Sequence, residues 1–271
     1  MSAITEPVHD AKMVIFHLAK AGNSDDDWED GAGYGTSSRG IRCVVADGAT
    51  EAYDAVRWVG QLVDGFLGLD GIRSPQDMTR TSMSRWIASM QELWQQRTPV
   101  AFGSVFEEKK FLEQGSLATF LGCELLGLDG PRPEWAAMAL GDTLLFHVRS
   151  GGLIRTFPDL RAEDFGLNPD GLFTQPTESD RMAATLQRAT GRMVAGDLLY
   201  LATDACAEWM VRSNITDAVG LWHQLTNLED PTEFADLVAD RRLSGQMRND
   251  DVTLLRLTLT SRETDRLVLA S

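Results

Sequence analysis

The hydrophobic positions of the chain follow two different periods. Between the second and third apolar runs, hydrophobic residues recur at the three- and four-residue spacing of a helix face. Elsewhere they form short runs whose length and composition are typical of β-strands. These runs lie at residues 13–18, 41–46, 116–126, 135–140, 144–148, 153–154, 198–204 and 252–259.

The first predicted helix extends from Glu51 to about Leu67. Trp58 falls between the positions of its apolar face, so we expect this tryptophan to be an exposed contact residue. The apolar face itself contains Ala52, Ala55, Val56, Val59, Leu62, Val63 and Phe66.

The second predicted helix begins at Ser74, with Pro75 at its first position and Asp77 in its first turn. Two consecutive amphipathic helices predict an antiparallel pair that packs on a sheet. The second helix has a long apolar face, on which both tryptophans are predicted core residues. It comprises Met83, Trp86, Ile87, Met90, Leu93 and Trp94.

Turn-forming residues predict the connections. Residues 21–40 are polar and rich in glycine, which predicts a loop. The segment Gly141-Asp142-Thr143 predicts a hairpin turn between two strands. Residues 156–195 are less regular. Helices are predicted at 206–211, 217–225 and 231–243, the last of them ending near Ser244-Gly245.

This order of strands and helices predicts an α+β sandwich, with sheets inside and helix pairs outside. No change in composition divides the sequence, so residues 1–271 are predicted to form a single domain.

Composition limits the classes of partner. The chain carries 25 Lys+Arg and 40 Asp+Glu, a formal charge of −15, and such a surface repels nucleic-acid backbones and anionic lipids. No apolar run reaches the roughly 18 residues of a membrane span, and the first residues lack the basic and apolar regions of a signal peptide. The three cysteines show no metal-ligand or disulfide spacing and are predicted to be buried thiols. We therefore expect a cytoplasmic protein that binds neither nucleic acid nor membranes.

Four aspartates stand at strand boundaries. They are Asp47, Asp142, Asp204 and Asp250. Hard divalent cations such as Mg²⁺ and Mn²⁺ prefer oxygen ligands, and strand ends at one edge of a sheet hold carboxylates rigidly. The pattern suits an acidic metal site, although each aspartate also suits an ordinary turn, so spacing alone leaves both interpretations open.

Six short segments follow one another in a fixed order between Lys20 and Leu257. They are K-A-G-N-S-D at 20–25, V-V-A-D-G-A at 44–49, Q-G-S-L-A-T at 114–119, A-L-G-D-T at 139–143, L-L-Y-L-A-T-D-A-C-A-E at 198–208 and R-N-D-D-V-T-L-L at 248–255. Together, with a helix pair between the second and third, they resemble the motifs of the metal-dependent protein phosphatases. These are the type 2C serine/threonine phosphatases, and the resemblance is to their bacterial branch in particular.

The resemblance implies a four-layer αββα sandwich, with two central antiparallel sheets flanked by helix pairs. It also implies a phosphoprotein substrate, whose phosphoserine or phosphothreonine is hydrolysed by a water that bridges two Mg²⁺ or Mn²⁺ ions. Asp47 is the implied bridge between the ions, the Gly48 carbonyl binds the second, and Asp204 and Asp250 complete the first site. Asp47, Asp204 and Asp250 are thus the implied catalytic residues.

A third ion is implied at Asp142, Asp204 and Glu208, so two or three ions are expected. Lys20 stands where the family has an arginine that binds the phosphate; a lysine keeps the charge but loses the bidentate geometry. Other departures from the family pattern are Ser24, Thr50-Glu51 and Asp251.

Two alternatives remain open on the sequence. One is a pseudophosphatase, a member of the same fold that binds a partner without hydrolysing it. The other is a metal-dependent phosphodiesterase that acts on small molecules. A monomer is favoured for each.

Overall fold

The structure is a computed structural model that describes residues 8–24, 27–50, 52–68, 75, 79–97, 103–113, 115–166, 170–175 and 179–262. Its strands are β1 (Val8–Leu18), β2 (Asp30–Thr36), β3 (Gly40–Gly48), β4 (Leu117–Leu126), β5 (Glu134–Leu140), β6 (Leu144–Arg149), β7 (Gly152–Phe157), β8 (Leu172–Phe173), β9 (Gln187–Arg192), β10 (Leu198–Ala202) and β11 (Val252–Arg262). Its helices are α1 (Ala55–Leu67), α2 (Arg80–Arg97), α3 (Val105–Glu113), α4 (Ser179–Thr185), α5 (Asp204–Asn227) and α6 (Pro231–Leu243).

The strands form two sheets. The first sheet has the order β1-β11-β10-β6-β7, and the second has the order β2-β3-β4-β5-β9, with the short β8 also pairing with β4. Each of these pairings is antiparallel. The chain passes between the sheets several times, so residues far apart in sequence meet at the ends of the sandwich.

Three apolar layers separate four layers of structure. The middle one lies between the sheets and includes Val45, Leu121 and Leu255. A second joins the second sheet to α1 and α2, and its largest members are Trp58 and Trp94. The third joins the first sheet to α5 and α6, and contains Phe146, Trp222 and Phe234. The predicted αββα sandwich is confirmed.

The prediction of a loop over residues 21–40 is wrong in part, because β2 occupies Asp30–Thr36. Its glycines are required by packing and do not mark a turn. A Cβ atom on Gly31 would lie 2.4 Å from Cγ1 of Val59, and one on Gly33 would lie 2.7 Å from Cδ1 of Leu67. Helix α1 rests directly on this strand, so a strand lacking side chains on that face reads as a loop in the sequence.

The predicted hairpin at Gly141-Asp142-Thr143 is also wrong. Strands β5 and β6 belong to different sheets, so these residues carry the chain from one sheet to the other. Gly141 has φ of 102°, and a Cβ atom there would lie 2.6 Å from the Asp170 carbonyl oxygen. Only glycine fits this crossing without strain.

Two predictions about the first helix are wrong. Trp58 is fully buried, and its Nε1 donates a hydrogen bond to the Leu172 carbonyl 2.7 Å away. Val56, assigned to the apolar face, is 49% exposed. The helix begins at Ala55, and its buried face is rotated so that Trp58 reaches β8.

The remaining helices agree with the sequence in part. Trp86 and Trp94 are core residues, as predicted, and α6 ends at Leu243 as predicted. The two helices predicted at 206–211 and 217–225 are one element, α5, with a kink at Asp217. The proposed start of the second helix at Ser74 and Asp77 lies outside the described residues. Helix α3 was not predicted.

The three cysteines are free and buried, as predicted. Among the described helices, none is both long and apolar enough to cross a bilayer.

The contact between β2 and α1 predicts a difference between two glycine substitutions in one strand. Gly31→Ala should lower the free energy of unfolding by about 1–3 kcal/mol, because the new methyl group overlaps Val59. Gly35→Ala is the matched control, since a Cβ atom there meets nothing within 4 Å. Urea unfolding followed by circular dichroism measures both. Equal effects of the two substitutions would contradict the packing described here.

Candidate metal centre

Asp47 lies near the end of β3, which pairs with β2 and β4 in the second sheet. In register it faces Asp30 on β2 and Thr119 on β4. Antiparallel pairing therefore sets two carboxylates side by side at one edge of the sandwich.

Asp142 lies in the crossing from β5 to β6 and is 3% exposed. Neither of its carboxylate oxygens has a hydrogen-bond partner among the described residues. A buried carboxylate without partners is costly, which makes these two oxygens the clearest sign that a cation belongs here.

Asp204 is the first residue of α5 and directly follows β10 and Thr203. One carboxylate oxygen of Asp47, one of Asp142 and one of Asp204 lie within 4.8 Å of one another. We call these three residues the acidic cluster. Its members come from β3, from the crossing between the sheets and from the start of α5.

The acidic cluster is electrostatically strained. Burial, followed by the charge of Asp204, raises the pKa of Asp142 to about 7. Burial also raises the pKa of Asp47 well above its usual value, and the charges of Asp30, Asp204 and Asp142 raise it further. The pKa of Asp204 is raised by burial as well, although Arg248 opposes the shift. Oxygen ligands at this spacing, two of them unpartnered, fit a hard divalent cation.

Asp250 lies close to the acidic cluster but outside it. It precedes β11, and its charge contributes to the raised pKa values of Asp47, Asp142 and Asp204. Its Oδ1 accepts a hydrogen bond from the Asp251 amide at 3.1 Å.

Gly48 follows Asp47 at the end of β3. A Cβ atom there would lie 2.7 Å from the Glu29 carbonyl oxygen, so this position must lack a side chain for the backbones to approach.

Glu208 lies one turn after Asp204 on α5. Arg212 and Arg248 bind its two carboxylate oxygens, at 2.7 Å and 2.9 Å.

Lys20 follows β1, and its Nζ lies 3.4 Å from Thr50 Oγ1 and 3.7 Å from Glu29 Oε2. The ammonium group therefore faces the segment just after Gly48. The Lys20 backbone amide donates a hydrogen bond to Asp251 Oδ1 at 2.8 Å. The other oxygen of Asp251 accepts the Glu29 amide at 2.7 Å, so this aspartate binds both ends of the 20–29 loop.

Asp30 was not predicted from the sequence to have a role. It is 4% exposed, and its Oδ2 accepts hydrogen bonds from the hydroxyls of Thr203 at 2.8 Å and Thr253 at 2.7 Å. Burial raises its pKa to about 8 despite these bonds. The residue links β2 of the second sheet to Thr203, which directly follows β10, and to Thr253 on β11 of the first sheet. The sequence could have indicated Asp30 only if β2 had been recognised as a strand, because the pairing of β2 with β3 places Asp30 opposite Asp47.

Ser24 does not approach the cluster through any described contact; its amide and hydroxyl donate to Asp27 Oδ2 at 3.0 Å and 2.8 Å. Asp25 and Asp26, the two acidic residues that follow Ser24, lie outside the described residues.

No model of a known protein family matches the sequence, and no curated protein matches it. Solved structures do match in three dimensions. A bacterial serine phosphatase superposes with a TM-score of 0.63 at 12% identity, covering 94% of this chain and 100% of that one. The catalytic domain of the serine/threonine phosphatase PstP, solved with two manganese ions, gives 0.60 at 14% identity, covering 93% and 99%. The photosystem II phosphatase PBCP gives 0.59 at 12% identity, covering 92% and 98%.

The chain has the fold of these phosphatases. At these identities the likeness lies in the arrangement of strands and helices, and it extends over nearly the whole length of each phosphatase. The expectation of a phosphatase fold, drawn from six short segments, is confirmed.

The raised pKa of Asp142 predicts how stability depends on pH in the metal-free protein. A carboxyl whose folded pKa is raised to about 7 stabilises the fold below its unfolded pKa, and this stabilisation is lost as the pH rises towards 7. Asp142→Asn cannot ionise. It should therefore raise the free energy of unfolding at pH 8 by about 1–3 kcal/mol, and the gain should shrink towards pH 4.5.

Chemical denaturation in the presence of EDTA measures this difference. Asp236→Asn, at an exposed position on α6, is the matched control and should show no such gain. A stabilisation by Asp142→Asn that does not vary with pH would refute the electrostatic explanation.

Proposed function

We propose that this protein is a Mg²⁺- or Mn²⁺-dependent phosphatase that hydrolyses phosphoserine and phosphothreonine in phosphoproteins. The observation that carries the proposal is the acidic cluster, in which Asp142 has two unpartnered oxygens within a phosphatase fold. The related PstP domain was solved with two manganese ions, which supports a binuclear site here.

In this proposal Asp47, Asp204, Asp250 and the Gly48 carbonyl hold two ions. When bound, the ions would polarise the phosphate and lower the pKa of a water enough to make it a nucleophile at neutral pH. The acidic cluster also explains how a chain with a formal charge of −15 can take an anionic substrate, since the bound cations supply the local positive charge.

The chain's own residues hold this arrangement rigid. Asp30, beside Asp47 in the second sheet, joins the two sheets through Thr203 and Thr253. Arg242 donates to the carbonyl oxygens of Ala19 and Asp250, and so ties the end of β1 to the segment before β11. Lys20 directly follows Ala19, one of the two residues that Arg242 binds. It is the residue that would bind the substrate phosphate as a point charge.

The first test of the proposal is metal-dependent hydrolysis. Purified protein with Mn²⁺ should hydrolyse p-nitrophenyl phosphate and a phosphothreonine peptide, and EDTA should abolish both activities. Asp47→Asn should lower kcat by about 100-fold or more, because it removes the ligand shared by both ions. Asp236→Asn, far from the cluster on the exposed face of α6, is the control and should retain activity.

The outcomes separate the alternatives. Binding of Mn²⁺ without hydrolysis of either substrate would favour a pseudophosphatase. Faster turnover of bis-p-nitrophenyl phosphate than of the monoester would favour a phosphodiesterase. Activity that survives EDTA and Asp47→Asn would sink the proposal altogether.

The proposed role of Lys20 gives a second, narrower test. Lys20→Met should raise KM about tenfold with a smaller change in kcat, because a point charge contributes chiefly to binding of the phosphate. The affinity for Mn²⁺, measured by isothermal titration calorimetry, should not fall. Lys12→Met, at an exposed position on β1, is the matched control. If KM is the same in both variants, Lys20 does not bind the substrate.

A further inference from the structure

An arginine lies between two of the three carboxylates that the phosphatase resemblance assigns to a third ion. Arg248 Nη2 lies 2.7 Å from Asp204 Oδ2, and its Nε lies 2.9 Å from Glu208 Oε2. One planar guanidinium thus bridges two carboxylates that are one helical turn apart on α5.

The second oxygen of Glu208 is also engaged. Arg212 donates to Glu208 Oε1 through Nη2 at 2.7 Å and through Nε at 3.1 Å. Both oxygens of this glutamate are therefore in charge-assisted hydrogen bonds, and a cation at Glu208 would have to displace a guanidinium.

The contact of Arg248 with the two carboxylates is partly shielded from water. The side chains of Asp204 and Glu208 are 13% and 16% exposed, and that of Arg248 is 41% exposed. A partly shielded pair interacts more strongly than a fully exposed one. Burial lowers the pKa of Arg248, but Asp204 and Glu208 raise it by more, so the guanidinium stays charged.

The position of Arg248 in the chain adds a second consequence. It lies two residues before Asp250, in the segment that joins α6 to β11. Its contact with Asp204 therefore links that segment to the start of α5. Asp204 and Asp250, two proposed ligands of the first ion, are held relative to each other by this one side chain.

We propose that the Arg248 guanidinium takes the place of a third divalent cation, positions Asp204 for the binuclear site, and limits the protein to two ions per chain. This inference rests on the proposed function for the existence of the first two ions. It replaces the expectation of a third ion at Asp142, Asp204 and Glu208, because both oxygens of Glu208 are already occupied. Asp142 would then serve an ion at Asp47 and Asp204, since one oxygen of each of these three residues lies within 4.8 Å of the others. The inference also makes Arg248 a positioning residue that does not touch the substrate.

The test counts bound ions. The wild-type protein and Arg248→Gln are titrated with Mn²⁺ to millimolar concentration, and unbound Mn²⁺ is measured by electron paramagnetic resonance. The wild type should bind two ions per chain, and Arg248→Gln should bind three. Adding Glu208→Gln to the Arg248→Gln variant should return the count to two, because the newly exposed ligand is lost again.

Two controls keep the result specific. Arg212→Gln removes a guanidinium from Glu208 but leaves Arg248 in place, so its count should stay at two. Circular dichroism of each variant checks that it is folded. Arg248→Lys keeps the positive charge and should therefore also bind two ions.

Different failures point to different errors. Three ions in the wild type, or two in a folded Arg248→Gln variant, would overturn the role of Arg248 while leaving the proposed function intact. A wild-type protein that binds no Mn²⁺ would overturn both.

Discussion

The mutual repulsion of buried carboxylates is the constraint around which one end of this molecule is arranged. Asp47, Asp142 and Asp204 bring oxygens within 4.8 Å of one another, and the charges of Asp30 and Asp250 also raise the pKa of Asp47. Placing these charges together in a poorly hydrated site is unfavourable without counter-charges. The three clustered carboxylates are held by separate parts of the fold: Asp47 by β3, Asp142 by the short crossing from β5 to β6, and Asp204 by the start of α5.

The surrounding side chains compensate these negative charges through hydrogen bonds and ion pairs. Thr203 and Thr253 donate hydroxyl hydrogen bonds to Asp30, and these bonds also join the two sheets next to Asp47. Arg248 neutralises one side of Asp204, and Asp251 uses its charge to bind backbone amides at both ends of the 20–29 loop. Both carboxylate oxygens of Asp142 are buried without a partner among the described residues, so Asp142 marks where an external cation is needed.

Much of this was readable in the sequence because the features are local. A carboxylate at the end of an apolar run, as at Asp47 and Asp204, is visible in a few adjacent residues, and so is the helical face that contains Trp86 and Trp94. Six such segments in order were enough to predict the fold. The same local signals failed at Gly141-Asp142-Thr143, since a turn between sheets and a turn within one sheet have similar composition.

The features that sequence reasoning missed depend on contacts between distant residues. Strand β2 resembles a loop because α1 lies too close for side chains at Gly31 and Gly33. Asp30 was missed with it, since its importance comes from its register with Asp47. The pairing of Arg248 with Glu208 spans 40 residues and has no local signature. The burial of Trp58 likewise depends on β8, more than one hundred residues away along the chain.

The guanidinium of Arg248 differs from a metal ion in one respect that bears on how the protein would respond to its surroundings. A cation that is covalently part of the chain cannot be diluted, chelated or exchanged for another element. With Arg248 at Asp204, one positive centre would be constant whatever the supply of magnesium or manganese. Metal availability would then regulate only the ions that take part in the chemistry, and the response to metal concentration would be simpler than that of a three-ion centre.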